Sequence, residues 1–275
     1  MDNKQNSFTN IEDIDWAYLW GESIKSKKDA KKDWDKSAAS FQKLSRKDDY
    51  IDLLFSKLIL DKEDSVLDLG CGEGSITIPL AKHVKKVTGL DSSEKMLELL
   101  NERCNEQNID NVTTILKPLE DIDLKSIGHH DIVLASRSLN GIIPIKETLS
   151  TINEIANKYV FLTFFGPENW KFEQEFQKYI GKDNKKFPGY NYIFNILYKM
   201  GIYGNIERLK VKNYRDYENI EDAMNNGKYR LDLLSDNEKE KLKEFLKENL
   251  HKNPETGRLY NKDDKADWII IWWEK

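Results

Sequence analysis

A chain of 275 residues with 39% apolar and 11% aromatic side chains, seven of them tryptophans, can fill a sizeable core, and global disorder is excluded. Lys plus Arg number 43 against 48 Asp plus Glu, a net charge of -5 that argues against a dedicated nucleic-acid binder, whose footprint is basic. The two cysteines, Cys71 and Cys104, fit a reducing cytoplasm and exclude a disulfide scaffold or a four-cysteine zinc site, while no apolar run nears the ~18 residues of a membrane span.

Residues 1–47 read as a helical N-terminal cap. The opening stretch is polar and acidic, unlike a signal or transit peptide. Ile14, Tyr18 and Leu19 with Trp16 and Trp20, then Trp34, Ala38 and Phe41, give apolar positions at helical spacing. The basic run 25–32 reads as a solvated helix face. A helix at 48–60 carries Ile51, Leu54, Phe55, Leu58 and Ile59 on one stripe. From Asp64 the rhythm changes to strands alternating with helices, the pattern of a parallel sheet covered on both faces. Strands are expected at 65–69, 87–90, 112–117, 131–135, 159–165, 206–214 and 268–273, and helices at 75–83, 94–108, 145–156 and 190–200. Right-handed crossovers then give a doubly wound α/β domain over 48–275. Two insertions interrupt it, at about 166–189 and 218–265. The first holds a helix at 170–180, and the second a helix announced by the capping box Ser235-x-x-Glu238.

The informative segment is Asp68-Leu69-Gly70-Cys71-Gly72-Glu73-Gly74, between the first sheet strand and a helix. Gly70 and Gly72 permit positive φ and close approach of a ligand to the backbone, and Gly74 lets the loop lie against the helix start. The second strand ends at Asp91, twenty-one residues after Gly70, where an acid can accept hydrogen bonds from both ribose hydroxyls of an adenosine ligand. A nicotinamide-binding loop would place a third fingerprint glycine at position 75, which is Ser75, so a dehydrogenase is the weakest reading.

This segment resembles the glycine motif of the class I S-adenosylmethionine-dependent methyltransferases, and the resemblance covers residues 64 to about 166. It implies a Rossmann-like seven-stranded sheet in the order 3-2-1-4-5-7-6, with the last strand antiparallel. It also implies S-adenosylmethionine as cofactor and S-adenosylhomocysteine as product. Carried over residue by residue, Asp68 braces the loop near the methionine amino group, Gly70, Cys71, Gly72 and Gly74 cradle the methionine part, and Ser92 flanks the adenine beside Asp91. The family's adenine-binding acid falls at Pro118 here, which leaves the backbone of Leu119 or the Glu120 carboxylate for that task. Ser136, at the end of the fourth strand, would meet the cofactor's amino group, with Arg137, Ser138 and Asn140 facing the substrate. The segment Trp34-Asp35-Lys36-Ser37-Ala38-Ala39-Ser40-Phe41 resembles the family's W-D-x-x-A-x-x-Y/F cap helix, so Trp34 and Phe41 join the substrate side. Trp170 joins them from the first insertion.

Methyl transfer needs alignment and water exclusion before it needs a base. No residue is therefore singled out as catalytic. Cys71 reads as a small buried group, and His129 and His130 as surface residues before a strand. Trp268, Trp272 and Trp273 read as structural, and no His/Cys/Asp pattern suggests a metal. The expected reaction is methyl transfer to a small-molecule acceptor in the cytoplasm. An RNA or protein methyltransferase, or a cofactor-binding protein without transferase activity, stands as the alternative. Oligomeric state has no signature in the sequence.

Overall fold

The computed structural model describes residues 10–25, 35, 49–182 and 188–275. Helix α1 (Trp16–Lys25) and helix α2 (Tyr50–Phe55) precede β1 (Ser65–Leu69), α3 (Thr77–Ala81), β2 (Lys86–Asp91), α4 (Glu94–Glu106) and β3 (Val112–Leu116). A short α5 (Leu124–Ile127), β4 (His130–Ser136), α6 (Ile145–Ile155) and β5 (Ala156–Phe165) complete the alternating part. Then come α7 (Lys171–Tyr179), α8 (Tyr190–Lys199), β6 (Asn205–Leu209), β7 (Tyr214–Tyr217), α9 (Ile220–Asn226), α10 (Asp236–Asn249), β8 (His251–Lys252), β9 (Leu259–Lys265) and β10 (Trp268–Glu274).

Seven strands form one sheet in the order β3-β2-β1-β4-β5-β10-β6. The seventh strand of that sheet along the chain is β10, so the order is the expected 3-2-1-4-5-7-6. It pairs antiparallel with both neighbours. The other pairs among β1 to β5 are parallel.

Burial on both faces follows the period-two alternation of the strands. Leu67, Leu69, Val133, Leu162, Phe164 and Ile271 face α6, α8 and α1, where Trp20 is fully buried and donates from Nε1 to Ile142 O. Val66, Val87, Leu134, Phe161 and Ile270 face α2 and α3, where Tyr50, Leu54 and Leu80 close the other layer. The adjoining side chains of one strand thus serve two cores, which is why these strands read as continuous apolar runs.

Three expectations are corrected in detail. The helix expected at 48–60 is confined to Tyr50–Phe55, after which Ser56 Oγ donates back to Leu53 O and the chain turns. The helix expected at 75–83 narrows to Thr77–Ala81. The strand expected at 206–214 splits, because Val211 N bonds Leu209 O in a tight turn and Lys212 N is drawn to Asp49 Oδ2. Its second half, β7, enters a separate sheet in the order β7-β9-β8. That sheet, with α7, α9 and α10, forms a lobe with its own core of Phe172, Phe176, Tyr217, Leu242, Phe245 and Leu246.

Candidate active site

The carboxyl ends of β1, β2 and β4 surround a cavity of about 370 Å³. The parallel order reverses at β1, between β2 and β4, and open α/β sheets form ligand crevices at such a point. Its walls carry Asp68, Gly70, Cys71, Gly72, Asp91, Ser92, Leu119 and Ser136 from the expected cofactor set, and Arg137 and Ser138 from the expected substrate set. Gly74, Glu120, Asn140 and Trp170 are not part of the wall. Glu120 is exposed in the middle of the short 3-10 turn Leu119–Asp121. Trp34 and Phe41 lie outside the described residues.

The loop is built from positive φ. Gly70, Gly72 and Gly74 stand at +75°, +54° and +88°. A Cβ on Gly70 would come within 2.4 Å of Ser138 Cβ, and one on Gly74 within 2.4 Å of Leu100 Cδ1, so both positions require glycine for close packing. A Cβ on Gly72 would meet no protein atom within 4 Å, because that residue opens onto the cavity. Gly70 N and Cys71 N both donate to Leu90 O, and Ser138 Oγ donates to Leu69 O, which pins the turn across two strands.

Asp91 accepts from Gly72 N at Oδ2 and from Ser93 N at Oδ1, both at 2.9 Å. Each carboxylate oxygen keeps lone-pair capacity toward the cavity. Ser93 Oγ donates to Asp35 Oδ1 at 2.5 Å, so the one described residue of the Trp-Asp segment stands beside this acid. Asp68 is almost fully buried and accepts from Thr77 Oγ1 at 2.7 Å. Burial pushes its carboxyl up to about 7 against that hydrogen bond, with the charges of Asp91 and Glu73 adding to the rise. The same burial raises the Cys71 thiol, which keeps it protonated and unfit as a nucleophile.

The far end of the cavity is aromatic. Phe165 and Trp268, opposite each other across β5 and β10, stack at 4.9 Å and both line the wall. Arg137 has φ +63°, a costly conformation for a non-glycine residue. Its N–H donates to Thr163 Oγ1 and its guanidinium lies 4.2 Å from the Tyr50 ring centroid. Tyr50 OH in turn shares hydrogen bonds with Ser136 Oγ at 2.7 Å and Thr163 Oγ1 at 2.8 Å.

Trp268, read as structural, thus borders the site. Glu73, Ser75, Ile76, Met96 and Phe165 also line it and were missed, although Glu73, Ser75 and Ile76 adjoin the glycine motif. His130 is buried rather than at the surface: its Nε2 meets Thr88 Oγ1 at 3.0 Å, and burial lowers its pKa. Trp16 and Trp20 pack against Tyr192 in the layer beneath α1. Among the described residues no group of three His, Cys, Asp or Glu side chains stands together as metal ligands, and no helix is long and apolar enough to cross a membrane.

The donor set fits an adenosyl amino acid: a carboxylate with spare acceptor capacity, a glycine that leaves room for a ligand, and a buried acid at the strand end. Residues 66–158 match the family model described as a methyltransferase domain. An uncharacterized protein of Haemophilus influenzae is 29% identical over 243 residues, covering 87% of this chain and 88% of that protein. A probable cobalt-precorrin-6B C(15)-methyltransferase (decarboxylating) of Methanocaldococcus jannaschii is 30% identical over 104 residues, 38% of this chain and 57% of that protein. The crystal structure of the YcgJ protein from Bacillus subtilis shares the fold with a TM-score of 0.55 at 12% identity, covering 82% of this chain and 97% of that one.

Sheet, site and family match define a Rossmann-like methyltransferase. Residues 66–158, which carry the glycine loop and the first five strands of the sheet down to the start of β5, are similar to a methyltransferase domain.

Proposed function

We propose that the chain is a class I S-adenosylmethionine-dependent methyltransferase that acts on a small-molecule acceptor in the cytoplasm, with residues 1–47 as a cap and 48–275 as the catalytic domain carrying two insertions. The observation that supports this most is the cavity of about 370 Å³ that continues from the glycine loop to the aromatic pair Phe165 and Trp268. A cavity of that size encloses a small ligand. A duplex or a protein surface would call for an open, basic groove, and the net charge is -5.

In this reading the Gly70–Gly74 loop and Asp68 hold the methionine part, Asp91 accepts from the ribose hydroxyls, and Ser92 and Leu119 flank the adenine. Bound S-adenosylmethionine supplies an activated methyl group on a sulfonium that is a good leaving group. The protein's own contribution is to orient the acceptor against that group and keep water out. Ser136 and Ser138 are fixed by Tyr50 OH and Leu69 O respectively, so the rim between cofactor and acceptor is rigid before either binds. Arg137 stands at the acceptor end. No side chain is assigned as general base, and an acceptor that ionises unaided needs none.

Calorimetric titration with S-adenosylmethionine, S-adenosylhomocysteine and NADH tests the cofactor reading, with Asp91→Ala as control. Binding of both adenosyl ligands, lost in the variant and absent for NADH, is expected. Radiolabelled methyl transfer into the low-molecular-weight fraction of a cell extract supports the acceptor class. Label confined to RNA or protein would overturn it.

A further inference from the structure

Tyr50 is not part of the cavity wall, yet it supports three residues that are, Ser136, Arg137 and Trp268. It is fully buried on α2, with its ring centroid 4.2 Å from the Arg137 guanidinium carbon and 5.6 Å from the Trp268 ring centroid. Its hydroxyl lies 2.7 Å from Ser136 Oγ and 2.8 Å from Thr163 Oγ1. Thr163 Oγ1 in turn accepts from Arg137 N at 2.9 Å. One phenolic oxygen therefore governs two points of the rim: the Ser136 side chain directly, and the Arg137 backbone through Thr163. Arg137 holds φ +63°, a conformation that persists only where its surroundings over-determine it. Thr163 supplies one such constraint, and Tyr50 holds Thr163. Both of these side chains are fully buried, where a hydrogen bond is stronger than in water and its loss is more costly.

Strand register tells which part of a ligand this row faces. Asp68 pairs with Leu134 across β1 and β4, which brings Ser136 beside Gly70, and Ser136 itself pairs with Thr163 on β5. Two residues on from Leu134 and Phe161, Ser136 and Thr163 lie on the sheet face that α2 covers. Asp91 stands on the other side of β1, at the end of β2. A ligand whose ribose is held at Asp91 and which crosses the glycine loop reaches Ser136 with the end remote from its base. In S-adenosylmethionine that end is the amino-acid part.

We infer that Tyr50 is a positioning residue for the amino-acid part of the cofactor: its hydroxyl sets the Ser136 side chain that borders this part and, through Thr163, holds the strained residue that follows. The inference rests on the methyltransferase reading and extends the site to a residue outside the matched segment 66–158. Among the described residues Ser136 Oγ bonds no protein group besides Tyr50. Phenylalanine at position 50 keeps the ring against Arg137 and Trp268 but removes both hydrogen bonds, and Ser136 is then free to turn away from the ligand.

The test compares two ligands by calorimetry on the whole protein. S-adenosylhomocysteine and 5′-methylthioadenosine share the adenosine and the thioether, and only the first carries the amino acid. Tyr50→Phe should weaken S-adenosylhomocysteine roughly tenfold and leave methylthioadenosine within twofold of wild type. Ser136→Ala should show the same selectivity. Added to Tyr50→Phe it should cost no more than a further twofold, because both changes remove one interaction. Equal weakening of the two ligands by Tyr50→Phe would make its role merely structural and overturn the proposal. An unchanged S-adenosylhomocysteine affinity, or losses that add in the double variant, would overturn it as well. A melting curve reports folding of each variant. If Tyr50→Phe does not fold, the isosteric Thr163→Val decides, since it cuts the link from Tyr50 to Arg137 N: a loss confined to S-adenosylhomocysteine supports the proposal, and an equal loss or none overturns it. Wild-type protein that binds neither ligand would overturn the methyltransferase reading itself, whereas binding of both without selectivity in the variants overturns the role of Tyr50 alone.

Discussion

The glycine-loop edge of the sheet and the lobe built by β7, β8 and β9 lie in one chain but are specified in different ways. At the loop, seven consecutive residues and one acid on the next strand set the geometry, chiefly through backbone φ and hydrogen bonds to Leu90 O and Asp91. In the lobe, residues far apart in sequence converge on buried charge. Arg215 Nη1 lies 2.6 Å from Asp264 Oδ1, Tyr217 OH donates to Asp264 Oδ2 at 2.5 Å, and Glu173 and Lys228 complete the group. Burial there lowers the Lys228 ammonium to about 8 and raises Glu173. Lys228 Nζ also donates to Asn169 O and sits 4.5 Å from the Trp170 ring centroid, so the lobe is anchored to the segment leaving β5. A turn dictated by local sterics tolerates few residues. A lobe held by distributed pairs is open to change, which suits the part of an enzyme that varies with its substrate.

The comparison breaks most sharply at Gly74. Alanine there meets Leu100 Cδ1 at 2.4 Å and Ile78 Cδ1 at 3.2 Å while forced to φ +88°. Backbone strain and overpacking together cost about 3 kcal/mol, roughly a hundredfold in affinity if the loop shifts to relieve them. S-adenosylhomocysteine titration of Gly74→Ala should show that loss. Gly72→Ala has no such clash within 4 Å, so its loss should come from the methyl group in the ligand's space, with a melting temperature nearer wild type. Unchanged affinity in both variants would mean that the loop does not cradle the cofactor.

How much was legible follows the same division. The sheet order, the glycine turn, Asp91 and the capping box at Ser235 are local signals, and each is present where expected. The sheet of β7, β8 and β9 was invisible because β9 reads Leu-Tyr-Asn-Lys-Asp-Asp-Lys, with neither apolar alternation nor turn punctuation to mark a strand. Its pairing partners lie far along the chain, at Tyr214–Tyr217 and His251–Lys252. Trp268 was taken as core because its strand is apolar throughout. Only the register that sets it opposite Phe165 at the sheet's edge brings it to the cavity. His130 was placed at the surface for want of any signal that Thr88, on a neighbouring part of the sheet, would receive it.

A smaller and more specific effect concerns pH at Asp68. With its carboxyl titrating near 7 in the free protein, the side chain is protonated below that pH. A cationic ligand amine beside it favours the ionised form, so binding below pH 7 releases a proton. The bound state then holds fewer protons than the free state, and affinity must rise with pH, by up to about tenfold per unit, levelling off above 7. Calorimetry with S-adenosylhomocysteine from pH 5 to 7 should show this slope, and Asp68→Asn should flatten it. A flat wild-type profile would mean that Asp68 and the ligand's amine do not face each other.

The smallest effect probes the lobe without touching the cavity. Ser235 caps α10: its Oγ accepts from Glu238 N while Glu238 Oε2 accepts from Ser235 N at 2.9 Å, and Lys182 Nζ reaches Glu238 Oε1 at 2.6 Å. The exposed lysine adds little beyond the cap itself, since surface ion pairs are weak. Ser235→Ala removes one side of the box and should cost about 1 kcal/mol. The buried face of α10, Leu242, Phe245 and Leu246, packs on Phe172 and Phe176 of α7 rather than on the sheet. The loss should therefore appear as earlier hydrogen exchange at the amides of α7 and α10, with S-adenosylhomocysteine affinity within twofold of wild type. Equal acceleration across β1, β4 and β5 would show that lobe and sheet open as one unit. The lobe could then not vary independently of the edge that holds the cofactor, and the contrast between the two regions would lie in how they are encoded rather than in how they move.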